Sequence, residues 1–429
     1  MICSLLWNNV RNLAKKGIKV NYKWLAFLVI AITFFFETYI EWLKIKSAKR
    51  PIPDNVKDIY DKQSYNKWLA YYGEKTKLSF IRHTISYLTV FFIIGLNVYA
   101  NIVKQLSLKG DYLAAVGVLI ADILISFIYS VPHEYMDAMI VEQKYGFNRM
   151  TKKTFFIDQI KDVVLDIILT SGICCLFIFL HRTLGDWLLL VFTGIMLLFV
   201  LLIIFLAPAI GKIKNKFEPL PDGKLKERLF ALLLENGCTV KAIYVMDGSK
   251  RSSKANAYFS GFGKSKTIVL YDTLLEKMSE DEIVAVFAHE MGHNKHKDTL
   301  KMYGISILNV VVCVFAAWKL VSVPEIYLDF GFEKLNYGFA FYLLATVFLA
   351  FFSPFFGLFS GVLSRRAEYA ADRFAAENGY KEALISALKV LSKNSFSCLA
   401  PHPLLVALTN THPTVSQRIS ALEYIPKKE

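Results

Sequence analysis

Seven stretches of the chain run for about 20 residues with almost no polar position: 24–43, 81–103, 112–130, 163–180, 187–210, 302–323 and 337–363. A bilayer core about 30 Å thick takes about 20 apolar helical residues to cross, so this pattern predicts seven transmembrane helices. Around the start of the fourth stretch, "TFFIDQIKDVVLDIILTSGICC" carries Asp158, Lys161, Asp162 and Asp166, which places the charges at one end or against protein. Between the fifth and sixth stretches the pattern changes. In 211–301, "GKLKERLFALLLENG" has helical periodicity with Gly237 as its stop, and "KAIYVMD", "ANAYFSGF" and "KTIVLYD" read as short strands between turn residues. "SEDEIVAVFAHEMGHNKHKD" then opens on Ser279 as an N-cap, has acids in its first turn and closes on basic residues. The expected organisation is helices 1–5 in residues 1–210, a soluble α+β insert in 211–301, helices 6–7 in 302–363 and a C-terminal helical part in 364–429.

Composition agrees with a polytopic, mainly α membrane protein. Of 429 residues 55% are hydrophobic, with 34 Phe and 22 Tyr, and the mean hydropathy is +0.39. A net charge of +14 would suit nucleic acid, but the basic residues lie between apolar runs and form no single basic face, so no nucleic-acid partner is expected. Seven crossings put 44–80, 131–162, 211–301 and 364–429 on one side of the bilayer. The first of these holds Lys44, Lys46, Lys49, Arg50, Lys57, Lys62, Lys67, Lys75 and Lys77, which makes that side, with the insert, cytoplasmic. Arg11, Lys15, Lys16, Lys19 and Lys23 pull the other way. The six cysteines, Cys3 among them, have no metal spacing and suggest no disulfide framework, and the N-terminus lacks the order of a cleavable signal. Glu37, His83, Asp122 and Lys319 fall in or beside apolar runs, where ionisable groups face a bundle interior or snorkel to the interface.

The chemistry concentrates in "HEMGH". His289 and His293, four apart, share one helical face, and Glu290 beside them reaches the open position of a metal they hold. Catalytic zinc takes three protein ligands and a water, with Glu290 as the base toward that water. Gly292 costs about 1 kcal/mol of helix propensity against Ala. His296 continues the face as a solvated side chain. The third ligand comes from elsewhere, and Glu368 in "SRRAEYAADRFAAENG" is the candidate, with Asp372 one turn on to accept a histidine N–H. An amphipathic helix with ordinary surface acids is the alternative on spacing alone; Ser364, Arg365 and Arg366 read as the basic flank of a crossing.

In order, "FFFETYIEWL", "VPHEYMDAMIVEQKYGFNRMT", "NAYFSGFG", "HEMGHNKHKD", "SRRAEYAADRFA" and "THPTVSQRISAL" resemble the Ste24-type CAAX prenyl proteases, integral-membrane zinc metallopeptidases, along most of the chain. The resemblance implies a seven-helix barrel around a large chamber, with a small zinc domain on the cytoplasmic side. It implies one Zn2+ per chain on His289, His293 and Glu368, Glu290 as general base, Asp372 beside the ligands, and His412 as a donor to the oxyanion of the tetrahedral intermediate. Arg418 is expected to brace the site, and Asn256, Ala257 and Tyr258 to form a strand edge for the peptide. The expected substrate is a peptide or protein, hydrophobic or lipid-modified, cut near its C-terminus. A short connection between the last two crossings and a tail "EYIPKKE" without a dilysine signal in place suggest a prokaryotic homologue. The expected location is the inner membrane for a prokaryotic source and the endoplasmic reticulum for a eukaryotic one. Two other readings stand beside this one: an HtpX-like quality-control protease, and a transporter or scaffold with structural zinc.

Overall fold

The computed structural model describes residues 21–238, 240–260 and 267–426. Cys3, Arg11, Lys15, Lys16 and Lys19 of the N-terminal segment, and the tail residues 427–429, lie outside them. In chain order, α1 (Tyr22–Ser47) and α2 (Lys62–Gly95) precede a short α3 (Val98–Gln105), followed by α4 (Asp111–Tyr135), α5 (Lys152–Leu184) and α6 (Leu188–Lys214). The insert holds β1 (Phe217–Pro219), α7 (Lys224–Glu235), β2 (Ala242–Met246), β3 (Ala257–Ser260), β4 (Thr267–Tyr271), α8 (Asp272–Lys277) and α9 (Glu280–Lys295). Then come α10 (Asp298–Val321), α11 (Glu325–Asp329), α12 (Tyr337–Leu343), α13 (Ala350–Ala375), α14 (Lys381–Ser395), α15 (Pro403–Thr409) and α16 (Val415–Glu423).

Among the described residues six helical stretches are long and apolar enough to cross a membrane, where the sequence predicts seven. The difference lies in Lys152–Ile203, 52 residues that join the fourth and fifth expected runs. Such a length is roughly 78 Å, more than twice a bilayer core. Gly185, with φ of 56°, interrupts it, and α5 and α6 pack against each other on either side of the break. Two helices start well before their apolar runs. α2 begins at Lys62 because Trp68, Tyr71 and Leu78 line one buried face there, a helical stripe that uniform hydropathy does not register. α5 begins at Lys152, and its early acid Asp158 is paired with Arg251 of the insert.

The long helices close on themselves. α1 packs on α2, α2 on α4, α4 on α5, α5 on α6 and α6 on α10; α10 meets α12 and α13, and α13 returns to α1. The ionisable residues that the sequence places in or beside apolar runs have contacts: His83 Nδ1 lies 3.1 Å from Glu37, and Tyr99 donates to Asp122 at 2.6 Å. Lys319 lies over the Trp318 ring at 4.2 Å. The sheet has the order β1-β2-β4-β3, with β2 and β4 parallel and the other pairs antiparallel. β1 is absent from the sequence reading because it is three residues long and ends in Pro219, which no periodicity reveals. The expected boundaries at 210/211, 301/302 and 363/364 all fall inside helices, α6, α10 and α13.

Helix contact is tightest where side chains are smallest. A Cβ on Gly338 of α12 would stand 2.2 Å from the Ala115 carbonyl oxygen on α4, whereas one on Gly357 of α13 would meet nothing within 4 Å. Gly338→Ala is therefore expected to destabilise the protein by about 1–3 kcal/mol, as overpacking does. Gly357→Ala serves as the neutral control. Thermal unfolding in detergent checks both.

Candidate metal centre

α9 starts with a capping box: Ser279 Oγ accepts from the Glu282 amide and the Glu282 carboxylate accepts from the Ser279 amide at 2.8 Å. From Ile283 to Ala288, and again at Met291, every side chain is buried. A helix apolar on all sides belongs inside a core, so the HEMGH stretch is not the wet end of a surface helix. It packs against α13 along much of its length. The contact is close because Gly292 faces Ala371: a Cβ there would lie 2.7 Å from the Ala371 Cα.

This crossing brings Glu368 to the two histidines. Glu368 Oε2 lies 3.5 Å from His289 Nε2, and Oε1 lies 3.4 Å from His293 Nε2. One ligand atom from each residue falls within a 4.8 Å set. Donors about 2.1 Å from a tetrahedral zinc stand about 3.4 Å apart, so the donor set and its spacing fit that ion.

Carboxylates fix the rings from behind. His289 Nδ1 lies 2.9 Å from Asp372 and His293 Nδ1 lies 3.0 Å from Asp298. Arg418 Nη2 also lies 3.3 Å from His289 Nδ1, but a nitrogen that donates to a carboxylate cannot accept from a guanidinium, and the shorter contact to Asp372 prevails. With a metal bound, both Nδ1 atoms would carry the proton and both Nε2 lone pairs would face the shared centre. Arg418 binds Asp372 through Nε at 2.8 Å and Nη2 at 2.6 Å, and reaches Glu368 Oε2 through Nη1 at 3.3 Å. The His412 side chain is 64% exposed, with Nδ1 2.8 Å from Glu368 Oε1.

Electrostatics distinguish the neighbours. Burial pushes the Glu290 carboxyl above its ordinary range, against the pull of His289 and His293. Burial alone would lower His293, but its hydrogen bonds to Glu368 and Asp298 outweigh that and hold it up at about 9.

Of the expected site residues, His289, Glu290, His293, Glu368, Asp372, His412 and Arg418 gather here. His296 does not: it caps α9 and packs edge-on to Phe374. Asn256 lies just before β3, while Ala257 and Tyr258 are in it, at one end of the sheet order and in contact with α9. The Asn256 carbonyl accepts from the Tyr271 amide, so antiparallel alternation turns the Ala257 amide and carbonyl away from β4. The Ala257 amide is held by Asn256 Oδ1 at 2.9 Å.

Sequence reasoning missed Asp298. Helical spacing puts i+5 off the His293 face, but α9 ends at Lys295 and Lys297 adopts φ of 57°, which swings Asp298 back. A basic helix end followed by Asp at the start of a new apolar helix is the one signal that was present.

Residues 219–426 match the profile of peptidase family M48, and residues 41–212 match that of the CAAX prenyl protease N-terminal part, five membrane helices. The CAAX prenyl protease 1 homolog of Oryza sativa subsp. japonica is 30% identical over 421 residues, covering 94% of this chain and 97% of that protein. CAAX prenyl protease 1 of Saccharomyces cerevisiae is 29% identical, covering 92% and 94%. The crystal structure of S. mikatae Ste24p superposes with a TM-score of 0.88 at 27% identity, covering 95% of this chain and all of that one. These relatives are eukaryotic, so they lend the expected prokaryotic source no support.

Two outcomes follow from the geometry. Gly292→Ala forces α9 and α13 apart, and is expected to cost about 1–3 kcal/mol of stability and to lower bound metal below one ion per chain, read by thermal unfolding and elemental analysis. In protein stripped by chelator, His293 keeps a proton below about pH 9, and a metal accepts only the neutral ring. Zinc affinity should therefore rise with pH by about tenfold per unit from pH 7 and level off above that pKa, with proton release that calorimetry in buffers of different ionisation enthalpy would detect.

Proposed function

Because this chain belongs to the CAAX prenyl protease branch of peptidase family M48, and is thus a multi-pass membrane metallopeptidase, we propose that His289, His293 and Glu368 hold one Zn2+ per chain. The observation that carries this reading is the pair of Nε2–carboxylate separations, 3.5 and 3.4 Å, with Glu290 adjacent on the same helix. Zinc, when bound, supplies a Lewis acid for the scissile carbonyl and for water.

The protein's residues do the rest. Glu290, whose pKa burial raises, takes the proton of the attacking water and passes it to the leaving amine. His412, with 64% of its side chain exposed toward solvent beside Glu368, donates to the developing oxyanion. Asp372 and Arg418 hold His289 and Glu368 in place through the contacts described above. Peptide pairs along the Asn256, Ala257, Tyr258 edge, where the Ala257 backbone faces outward, its amide exchanging Asn256 Oδ1 for a substrate carbonyl.

The substrate we propose is a peptide or protein, prenylated or otherwise hydrophobic, cut near its C-terminus, as the relatives' names suggest. The catalytic machinery lies in 211–301 and 364–429 and faces the cytoplasm, which the basic residues of 44–80 support. The membrane is the endoplasmic reticulum for a eukaryotic source and the inner membrane for a prokaryotic one. Family membership sets aside the transporter and scaffold readings, and the five-helix N-terminal match favours the CAAX type over an HtpX-like protease.

Purified protein in detergent is expected to cleave a farnesylated CAAX-type peptide near its C-terminus, read by mass spectrometry. Glu290→Gln should lower the rate by about 10³-fold or more while the metal stays bound. Cleavage that survives the change at full metal content would sink the assignment.

A further inference from the structure

Gly361, Arg365, Glu368 and Asp372 are spaced by four, three and four residues, so they form one stripe along α13. Glu368 and Asp372 are in the metal centre. Arg365 points instead to the segment that carries His412. Its Nη1 donates to the Asn410 carbonyl at 2.6 Å and to the Val406 carbonyl at 3.2 Å, and its Nη2 donates to the Ala407 carbonyl at 3.5 Å. Val406 and Ala407 belong to the last turn of α15, the electronegative end of the helix; the Val406 carbonyl also accepts from the amide of Asn410, which caps it. The chain then reaches His412 in two residues.

The neighbouring side chain shows that this is not generic basic flanking. Arg366 is exposed, while Arg365 is half-buried against the α15 end. Gly361 makes that possible: a Cβ there would lie 2.9 Å from Arg365 Nη1 and 3.3 Å from the Asn410 carbonyl oxygen. The far side of the His412 loop is fixed independently, by the capping box of Thr414 and Gln417 that starts α16. Between these two anchors only residues 411–413 are left to set where the imidazole points.

We infer that Arg365 is a positioning residue for His412, tying the loop of the oxyanion donor to the helix that supplies the third metal ligand. Its planar guanidinium reaches the three carbonyls through two nitrogens, which the single nitrogen of a lysine ammonium on a differently shaped stem does not reproduce. This rests on the proposed role of His412, and it makes α13 a single ruler for both. A shift of the loop by about 1 Å suffices to cost a large factor in rate.

The test is a double-mutant cycle on metal-loaded, full-length protein with the farnesylated peptide, reading kcat, KM and bound zinc. His412→Ala is expected to lower kcat by about 10²-fold, and Arg365→Gln by about tenfold or more, with KM and one zinc per chain retained. Arg365→Lys should recover only part of the loss, and Gly361→Ala, which displaces the guanidinium without removing it, should resemble Arg365→Gln. The double variant Arg365→Gln/His412→Ala should be no slower than His412→Ala alone. Multiplicative losses in the double variant would overturn the coupling while leaving His412 its role. A fully active His412→Ala beside an impaired Arg365→Gln would overturn both, and loss of zinc from Arg365→Gln would reduce Arg365 to a structural brace.

Discussion

The contact between Gly292 and Ala371 is the constraint on which the site depends. In this structure the three candidate ligands converge where the two helices touch backbone to backbone, with Glu368 3.5 and 3.4 Å from the two Nε2 atoms. Any residue larger than glycine at position 292 would meet the Ala371 Cα at 2.7 Å or less. The helix-propensity cost of glycine in mid-helix, about 1 kcal/mol, is therefore offset by the approach it permits. The small residues on the facing side, Ala371 and Ala375, are both fully buried and serve the same closeness.

Once the helices are that close, charge has to be arranged with care. Glu368, Asp372, Asp298 and Glu290 are four carboxylates crowded around two imidazoles, and Arg418 is the one guanidinium that reaches both Glu368 and Asp372 among the described residues. Without it, two buried acids one turn apart would repel each other, and an uncompensated buried charge is strongly destabilising. With it, Asp372 is held for His289, and Glu368 keeps its oxygens toward the rings. Arg418 thus contacts Asp372, Glu368 and the His289 ring, which is where a brace of the site would have to act.

Much of this was legible in the sequence, for identifiable reasons. The α9 start is written in Ser279 and Glu282, and the candidate ligand pair in the i, i+4 spacing of His289 and His293, both local signals. Glu368 could be singled out as a candidate but not distinguished from a surface acid, since its partner lies 75 residues away and only the fold brings them together. Asp298 was hidden by a left-handed residue, Lys297, which no propensity anticipates for lysine. Arg365 was hidden by resemblance to its neighbour: two adjacent arginines after an apolar run look alike, and the partners that only Arg365 finds depend on Gly361 and on a loop 45 residues downstream. The helix starts at Lys62 and Lys152 were hidden because a stripe of apolar residues on a charged helix falls below the hydropathy of a full crossing.

The same dependence on continuous helices explains why a division into membrane and soluble parts does not describe the molecule. α10 begins at Asp298, which braces His293, and runs on as an apolar helix of the ring; α13 leaves the ring and delivers Arg365, Glu368 and Asp372 without a break. The insert is held from the other side as well. Residues 146–149 pair with 251–253 through Ser253 to Phe147, Arg149 to Arg251 and the Asn148–Ser252 bridge, immediately before the Asn256 edge. Glu142, at the end of the π-helical turn that continues α4, accepts from Tyr71 at 2.6 Å and pairs with Lys75 and Lys254. The segment "HEYMDAMIVEQKYGFN", which carries no chemistry of its own in the sequence, therefore fixes the strand edge to the ring. The candidate ligands and the strand edge are thus both referred to the long helices, and a movement of α4 relative to α13 would change the distance between β3 and the candidate metal centre without altering either one.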